Sequence, residues 1–303
     1  MLKRDFLNIS NLKKDEILQI IDYAVKLKKG EIEDLSLKGK SIGLIFMKPS
    51  TRTRLSFEVG IYQMGGQPIY IQGSSTQMSR GEDIKDTARV MARYLDGIVI
   101  RTYSHREVEE LAQYFNKPVI NALTDYLHPC QILADLQTIY EKFGKIEGIK
   151  VAFVGDGNNV ANTWLIAGGL IGFDVSVATP EGCEPSGKAV YEAADLSKKT
   201  GSKIEITNNP IEAVKDADVV YTDVWVSMGQ EGEKEKKELF KGFTVNKELI
   251  SHASSNVIVM HCLPAHKGEE ISEDLFEDYA DIIFDEAENR LHAQKALMSL
   301  LFK

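Results

Sequence analysis

Apolar positions along the chain follow two alternating periods. Across residues 11–29, Ile17, Leu18, Ile21, Ala24, Val25 and Leu27 fall near a helical stripe and Gly30 follows them, which predicts an amphipathic helix with a stop. Residues 41–47 form a short apolar run ending at Lys48-Pro49, and its length and proline favour a buried strand. Shorter runs at 69–71, 98–100 and 119–120 read as sister strands, with helices over 83–95 and 107–115 between them. Such βα alternation predicts a parallel sheet.

A second βα series starts near Lys150. Its expected strands are 151–154, 174–178, 203–206, 219–222, 257–260 and 282–284, with helices at 159–171, 187–199 and 210–215 and a last helix over about 286–301. The two series are joined by residues 131–143, where Ile132, Leu133, Leu136, Ile139, Tyr140 and Phe143 recur at helical spacing. The expected fold is therefore α/β: two doubly wound domains with parallel sheets, joined by helices, with a ligand site in the inter-domain cleft. The boundaries read as 1–142, completed by the helix 286–303, and 143–285.

Composition narrows the function. The 303 residues suit two domains at ~150 residues each. Hydrophobic residues make up 43% and charged residues 27%, which excludes disorder, collagen and coiled coil. A net charge of −9 argues against broad binding to nucleic acid or anionic membrane, though a local basic pocket is compatible with it. Cys130, Cys183 and Cys262 have no C-x-x-C spacing, so no zinc ribbon or thioredoxin-type site is written. No apolar run at the start resembles a signal, and none approaches the ~20 residues of a membrane span. A reduced, cytoplasmic protein is the expectation.

Six polar clusters stand at expected strand ends or helix starts. Pro49-Ser50-Thr51-Arg52-Thr53-Arg54 follows a strand and opens a helix; hydroxyls, guanidiniums and first-turn amides there make a cradle for phosphate or carboxylate. The same residues also fit a capped helix with surface arginines. His128-Pro129-Cys130-Gln131 opens the connecting helix, placing groups that could hydrogen-bond a carbonyl or amide, although a proline before a helix is also ordinary punctuation. Gly155-Asp156-Gly157-Asn158-Asn159-Val160 could pass for a dinucleotide fingerprint, but Val160 fills the third glycine position and Asp174 opens the next strand instead of ending it. NAD binding is rejected, and the paired Asn residues are left for polar readout of a small ligand. Asp223-Val224-Trp225-Val226-Ser227-Met228-Gly229 offers a carboxylate for an ammonium group and a backbone for a carboxylate, or simply a turn with Trp225 packed. His261-Cys262-Leu263-Pro264 exposes a thiol and a carbonyl at a strand end, with no evident third and fourth ligand for zinc. Glu286-Ala287-Glu288-Asn289-Arg290-Leu291-His292 adds a cation if the last helix returns to the cleft. The run Glu231 to Glu238 reads as a solvated loop or helix face. With Arg52, Arg54, Arg101 and Arg290 gathered in an acidic chain, the set describes a pocket for a small phosphorylated substrate.

Together these motifs resemble the aspartate/ornithine carbamoyltransferase family, and within it the ornithine branch. S-T-R-T-R and H-P-x-Q are the family's carbamoyl-phosphate elements, while D-x-W-x-S-M-G and H-C-L-P mark the ornithine branch; the matches run from Ser50 to His292. The resemblance implies that Ser50, Thr51, Arg52, Thr53 and Arg101 hold the phosphate and that His128 and Gln131 bind the carbonyl and amino ends of the carbamoyl group, with Arg290 beside them. It implies that Gln77 reaches a neighbouring subunit's site, making a trimer or an assembly of trimers. Asn159, Asp223, Ser227 and Met228 would bind the α-amino and α-carboxylate groups of ornithine. Cys262 and the Leu263 carbonyl would lie next to the side-chain amine, and the Leu263–Pro264 bond would be cis. The implied reaction is carbamoyl transfer from carbamoyl phosphate to ornithine, giving citrulline and phosphate in arginine metabolism, with no cofactor or metal. The implied catalytic groups are Arg52, Arg101, His128 and Cys262. The alternative is a related acceptor such as putrescine or N-acetylornithine.

Overall fold

A computed structural model of the protein describes residues 4–73, 76, 81–226 and 233–302, with side chains excluded at 233–235. The chain divides into two compact units, one formed by Met1–Gln137 with Glu288–Lys303 and the other by Thr138–Ala287.

The first unit carries α1 (Lys14–Lys28), β1 (Ser41–Phe46), α2 (Thr51–Gln63), β2 (Gln67–Gln72), α3 (Ile84–Met91), β3 (Gly97–Arg101), α4 (His105–Tyr114), β4 (Val119–Leu123) and the start of α5 (Pro129–Phe143). Its strands are all parallel, in the order β2-β1-β3-β4. The interior strands are buried along nearly their whole length, the pattern of a parallel sheet covered on both faces, whereas edge strand β2 alternates. Helix α1 forms because Ile17, Ile20, Ile21, Ala24 and Val25 bury one stripe, with Asp15 and Glu16 in the first turn and Lys26 and Lys28 in the last, as the helix dipole favours.

The second unit contains β5 (Lys150–Val154), α6 (Asn159–Ile171), β6 (Asp174–Ala178), α7 (Gly187–Thr200), β7 (Ile204–Thr207), α8 (Pro210–Val214), β8 (Val219–Thr222), α9 (Glu233–Leu239), α10 (Lys247–Ile250), β9 (Ile258–His261) and α11 (Glu273–Asp278). Its parallel order is β7-β6-β5-β8-β9. Almost all of α6 is buried, and Trp164 on it packs edge-on against Phe173 and Tyr221. A Cβ at Gly169 would lie 2.5 Å from the Ala193 carbonyl oxygen, so glycine lets α6 and α7 approach closely.

The expected strand over 282–284 is a correction: those residues lie inside α12 (Ala280–Phe302), which begins six residues before the expected start at Glu286. Ile283, Glu286 and Arg290 are buried while Phe284 is exposed, a helical spacing that a three-residue apolar run could not reveal. The charged run also departs from a purely solvated face. Lys236 on α9 pairs with Asp156 at 2.7 Å, and Lys237 pairs with Glu269 at 2.9 Å. No helix among the described residues is long and apolar enough to cross a membrane.

Each sheet has one point where its connections reverse direction, between β1 and β3 in the first and between β5 and β8 in the second. Open α/β sheets bind ligands at the carboxyl ends of the strands beside such points. The polar motifs stand there.

Candidate active site

In the first unit the site grows from the turn after β1. Ser50 is the N-cap of α2, extended at φ −164°, and its hydroxyl accepts from the Thr53 amide at 3.3 Å. The first-turn amides of α2 have no carbonyl partner within the helix. Thr51 is exposed and Arg52 half-buried, while Thr53 is buried. Arg101 closes β3 opposite Phe46, the last residue of β1. The strand register therefore sets Arg101 beside the turn that carries Ser50 to Thr53.

Arg290, on α12, is 3% exposed and joins three elements. Its Nη1 donates to Gln131 Oε1 at 2.6 Å and its Nη2 to Thr53 Oγ1 at 3.0 Å. Gln131 in turn donates from Nε2 to Asp135 Oδ1 at 2.8 Å. His128 is buried at the head of α5; burial, then the charges of Arg290 and Arg101, hold its imidazole well below the ordinary histidine range. It is a neutral imidazole at neutral pH. Cys130, in the variable place of H-P-x-Q, is fully buried and its thiol is pushed up to about 12, so it stays protonated. Arg54 stands apart from this cluster: it pairs with Glu58 at 2.9 Å and stacks over Tyr70 at 3.6 Å.

In the second unit three strand ends converge. Asn158 is the N-cap of α6, accepting from the Val160 and Ala161 amides, and its Nδ2 donates to Asp223 Oδ2 at 2.7 Å. Asp223, just past β8, also accepts from the Cys262 thiol at 3.0 Å and from the Val224 amide at 2.8 Å. Asn159 is the first residue of α6. A Cβ at Gly157 would lie 2.3 Å from the Glu184 carbonyl carbon, so only glycine fits the turn that presents these asparagines. Beneath the turn, burial raises the Asp156 carboxyl, an effect the Lys236 ion pair partly offsets and the charge of Asp223 adds to.

The backbone around Cys262 is pinned on both sides. Glu286 accepts from the His261 amide at 2.9 Å and from the Tyr221 hydroxyl at 3.1 Å. His261 Nδ1 accepts from the Leu263 amide at 2.9 Å, which leaves Nε2 to donate to Glu270 Oε1 at 3.0 Å. The Leu263–Pro264 bond is cis, as the resemblance implied, and Leu263 has φ +58°. Asp223, His261 and Cys262 place potential metal donors within 4.8 Å of one another, supplying the third group the sequence did not reveal; both ring nitrogens of His261 are already engaged.

The structure thus brings Ser50, Thr53, Arg101, His128, Gln131 and Arg290 to one end of the first unit and Asn159, Asp223, Cys262 and Leu263 to one end of the second. Gln77, Ser227 and Met228 lie outside the described residues. Sequence reasoning missed Asp135, Asn158 as the partner of Asp223, and the Glu270–His261 and Glu286 braces. The i,i+4 spacing of Gln131 and Asp135 was the one signal available for any of them.

Two domain families match the chain: the aspartate/ornithine carbamoyltransferase carbamoyl-P binding domain over residues 4–141, and the Asp/Orn binding domain over 147–301. Among curated relatives, ornithine carbamoyltransferase of Aquifex aeolicus is 53% identical over 305 residues, covering 100% of this chain and 99% of its own. The Thermococcus kodakarensis ornithine carbamoyltransferase is 51% identical, covering 98% and 96%. Among solved structures, ornithine carbamoyltransferase from Pyrococcus furiosus superposes with a TM-score of 0.94 at 49% identity, over 99% of this chain and 97% of its own.

Proposed function

The chain belongs to the aspartate/ornithine carbamoyltransferase family, and on that premise we infer that it transfers the carbamoyl group of carbamoyl phosphate to the side-chain amine of L-ornithine, giving L-citrulline and phosphate. Full-length relatives named for ornithine favour this acceptor over putrescine or N-acetylornithine. The observation that carries the chemistry is the Arg290–Gln131–Thr53 junction, which ties the start of α2, the head of α5 and α12 into one cationic cluster.

In this reading residues 1–142 and 286–303 bind carbamoyl phosphate and residues 143–285 bind ornithine. Ser50, Thr51, Arg52, Thr53 and Arg101 hold the phosphate at the positive end of α2. Neutral His128 and Arg290 donate to the carbamoyl oxygen, and Gln131 meets the amide nitrogen. Asn159, Asp223, Ser227 and Met228 hold the amino-acid end of ornithine, with Cys262 and the Leu263 carbonyl beside the reacting amine. The reaction requires both sets to act on one pair of substrates, which supplies the proximity term.

The neutral amine attacks the carbamoyl carbon and an oxyanion develops on the carbonyl oxygen. Arg52, Arg101, His128 and Arg290 stabilise that charge as preorganised donors. The C–O bond to phosphate then breaks, and the arginines and the α2 amides hold the departing phosphate. The ammonium form, with a pKa near that of lysine, gives one proton to solvent before attack, and the proton that the nitrogen sheds once the C–N bond has formed passes to the phosphate as it leaves, with Cys262 beside the amine.

We also propose a trimer or an assembly of trimers in the cytoplasm, with Gln77 completing a neighbour's site. Its support is an apolar stripe on α2, where Leu55, Val59 and Tyr62 are exposed at helical spacing beside edge strand β2. The deciding experiment offers carbamoyl phosphate with ornithine, aspartate, putrescine and N-acetylornithine in parallel. Citrulline from ornithine alone is expected; turnover with another amine in its place overturns the acceptor.

A further inference from the structure

We propose that Asp135 is a positioning residue: it fixes the amide of Gln131 so that the site recognises the N–H of a carbamoyl group and discriminates against an acyl phosphate of the same shape. This inference rests on the carbamoyl-phosphate reading above.

Gln131 and Asp135 lie one turn apart on α5, and both are fully enclosed, at 1% and 0% exposure. The amide of Gln131 stands between two groups of opposite hydrogen-bonding character. Arg290 has donors only, and Asp135 turns an accepting oxygen, Oδ1, towards the amide. The amide therefore fits one way round, with Oε1 towards Arg290 at 2.6 Å and Nε2 towards Asp135 at 2.8 Å. The reverse orientation would face a donor with a donor and an acceptor with an acceptor. Arg290 cannot turn away to relieve such a clash, because its other nitrogen is fixed on Thr53.

The orientation has a chemical consequence. An amide oxygen carries two lone pairs, so Oε1 has the capacity to accept from a ligand as well as from Arg290. The accepting oxygen of Asp135 on the Nε2 side polarises the amide and makes Oε1 the stronger acceptor. Carbamoyl phosphate presents an N–H at that place, whereas acetyl phosphate presents a methyl group of similar size. A buried acceptor that meets a methyl group loses its hydrogen bond without access to water, and this loss is what discriminates.

The test compares phosphonoacetamide with acetonylphosphonate, an amide and a methyl ketone of matched shape, by calorimetry on the full-length protein, with inorganic phosphate as the reference. The wild type is expected to bind the amide about 10- to 100-fold more tightly than the ketone. Asp135→Leu removes the acceptor opposite Nε2 and should bring that ratio to within about threefold of unity while leaving phosphate affinity unchanged. Gln131→Met should bring the ratio to the same level, and adding Asp135→Leu to Gln131→Met should change it no further, since one residue acts through the other. Should Asp135→Leu not fold, Asp135→Ala is compared in the same cycle. Equal binding of the two ligands by the wild type overturns the proposal. So does an Asp135 variant that weakens both ligands by one factor, which marks a structural role, or additive effects in the double variant. If neither phosphonate binds the wild type, the carbamoyl-phosphate reading falls and this inference with it.

Discussion

Arg290 and Gln131 are separated by 159 residues, yet Nη1 of one donates to Oε1 of the other at 2.6 Å. The planar fork of the guanidinium serves Gln131 and Thr53 at once, a geometry that a lysine ammonium does not reproduce. Arg290→Lys is therefore expected to lower kcat/KM for carbamoyl phosphate about 100- to 1,000-fold, as lost transition-state stabilisation. Steady-state kinetics with ornithine saturating checks this. A loss below threefold removes Arg290 from the site.

Arg52 differs in being half-buried at the start of α2. Arg52→Ala should lower kcat/KM by about 1,000-fold through lost phosphate and oxyanion contacts. Its melting temperature should stay within about 2 °C of the wild type, because no enclosed partner among the described residues is left behind. Kinetics and a thermal melt on the same preparation separate the two effects.

Asp223 accepts from Asn158, Cys262 and the Val224 amide, so its charge orders three neighbours as well as facing the proposed amino acid. Asp223→Asn should raise the KM for ornithine at least about tenfold and leave the affinity for inorganic phosphate unchanged. A variant that loses phosphate binding instead would assign Asp223 to the wrong substrate.

His128 gives a pH signature. Its folded pKa lies well below 6.5, so below about pH 6.5 the unfolded chain takes up more protons than the folded one. The stability this group permits is complete above that pH and declines as pH falls through it, by about 1.4 kcal/mol per pH unit. Denaturant melts of His128→Asn between pH 7 and 5 should show a shallower decline than the wild type, and an identical slope would contradict the assignment.

For Asp156 the sign is opposite, because burial already holds its folded pKa above the ordinary value. Lys236→Met removes the partner and raises it further. A carboxyl whose folded pKa is raised contributes stability below about pH 4 and loses it as pH rises through the folded value. The melting-temperature deficit of Lys236→Met should therefore grow from pH 5 to pH 8. Adding Asp156→Asn should recover most of it, since the uncompensated buried charge is gone.

Much of this architecture was legible because parallel strands buried on both faces leave unbroken apolar runs, and motifs at their carboxyl ends stand where α/β sheets bind ligands. Residues 159–171 read as the helix the structure contains, and residues 50–54 as the start of a capped helix, which Ser50 caps. Ile282, Ile283 and Phe284 misled because three apolar residues carry no period, and only the burial of Glu286 and Arg290 sets the helical phase. The braces around Cys262 were hidden for another reason. Glu270 and Glu286 look like ordinary surface acids in sequence, and only the fold encloses them against His261 and Tyr221. Pairings between distant residues leave no local pattern.

The first unit is assembled from Met1–Gln137 and Glu288–Lys303, with the whole of the second inserted between. During synthesis its sheet can be complete while Arg290 has not yet been made. At about 5–20 residues per second the ribosome needs on the order of ten seconds or more to cross the insertion. Throughout that interval Thr53 and Gln131 lack the guanidinium that joins them. The junction of α2, α5 and α12 thus closes only after the second unit has been made, and the proposed carbamoyl chemistry waits on it.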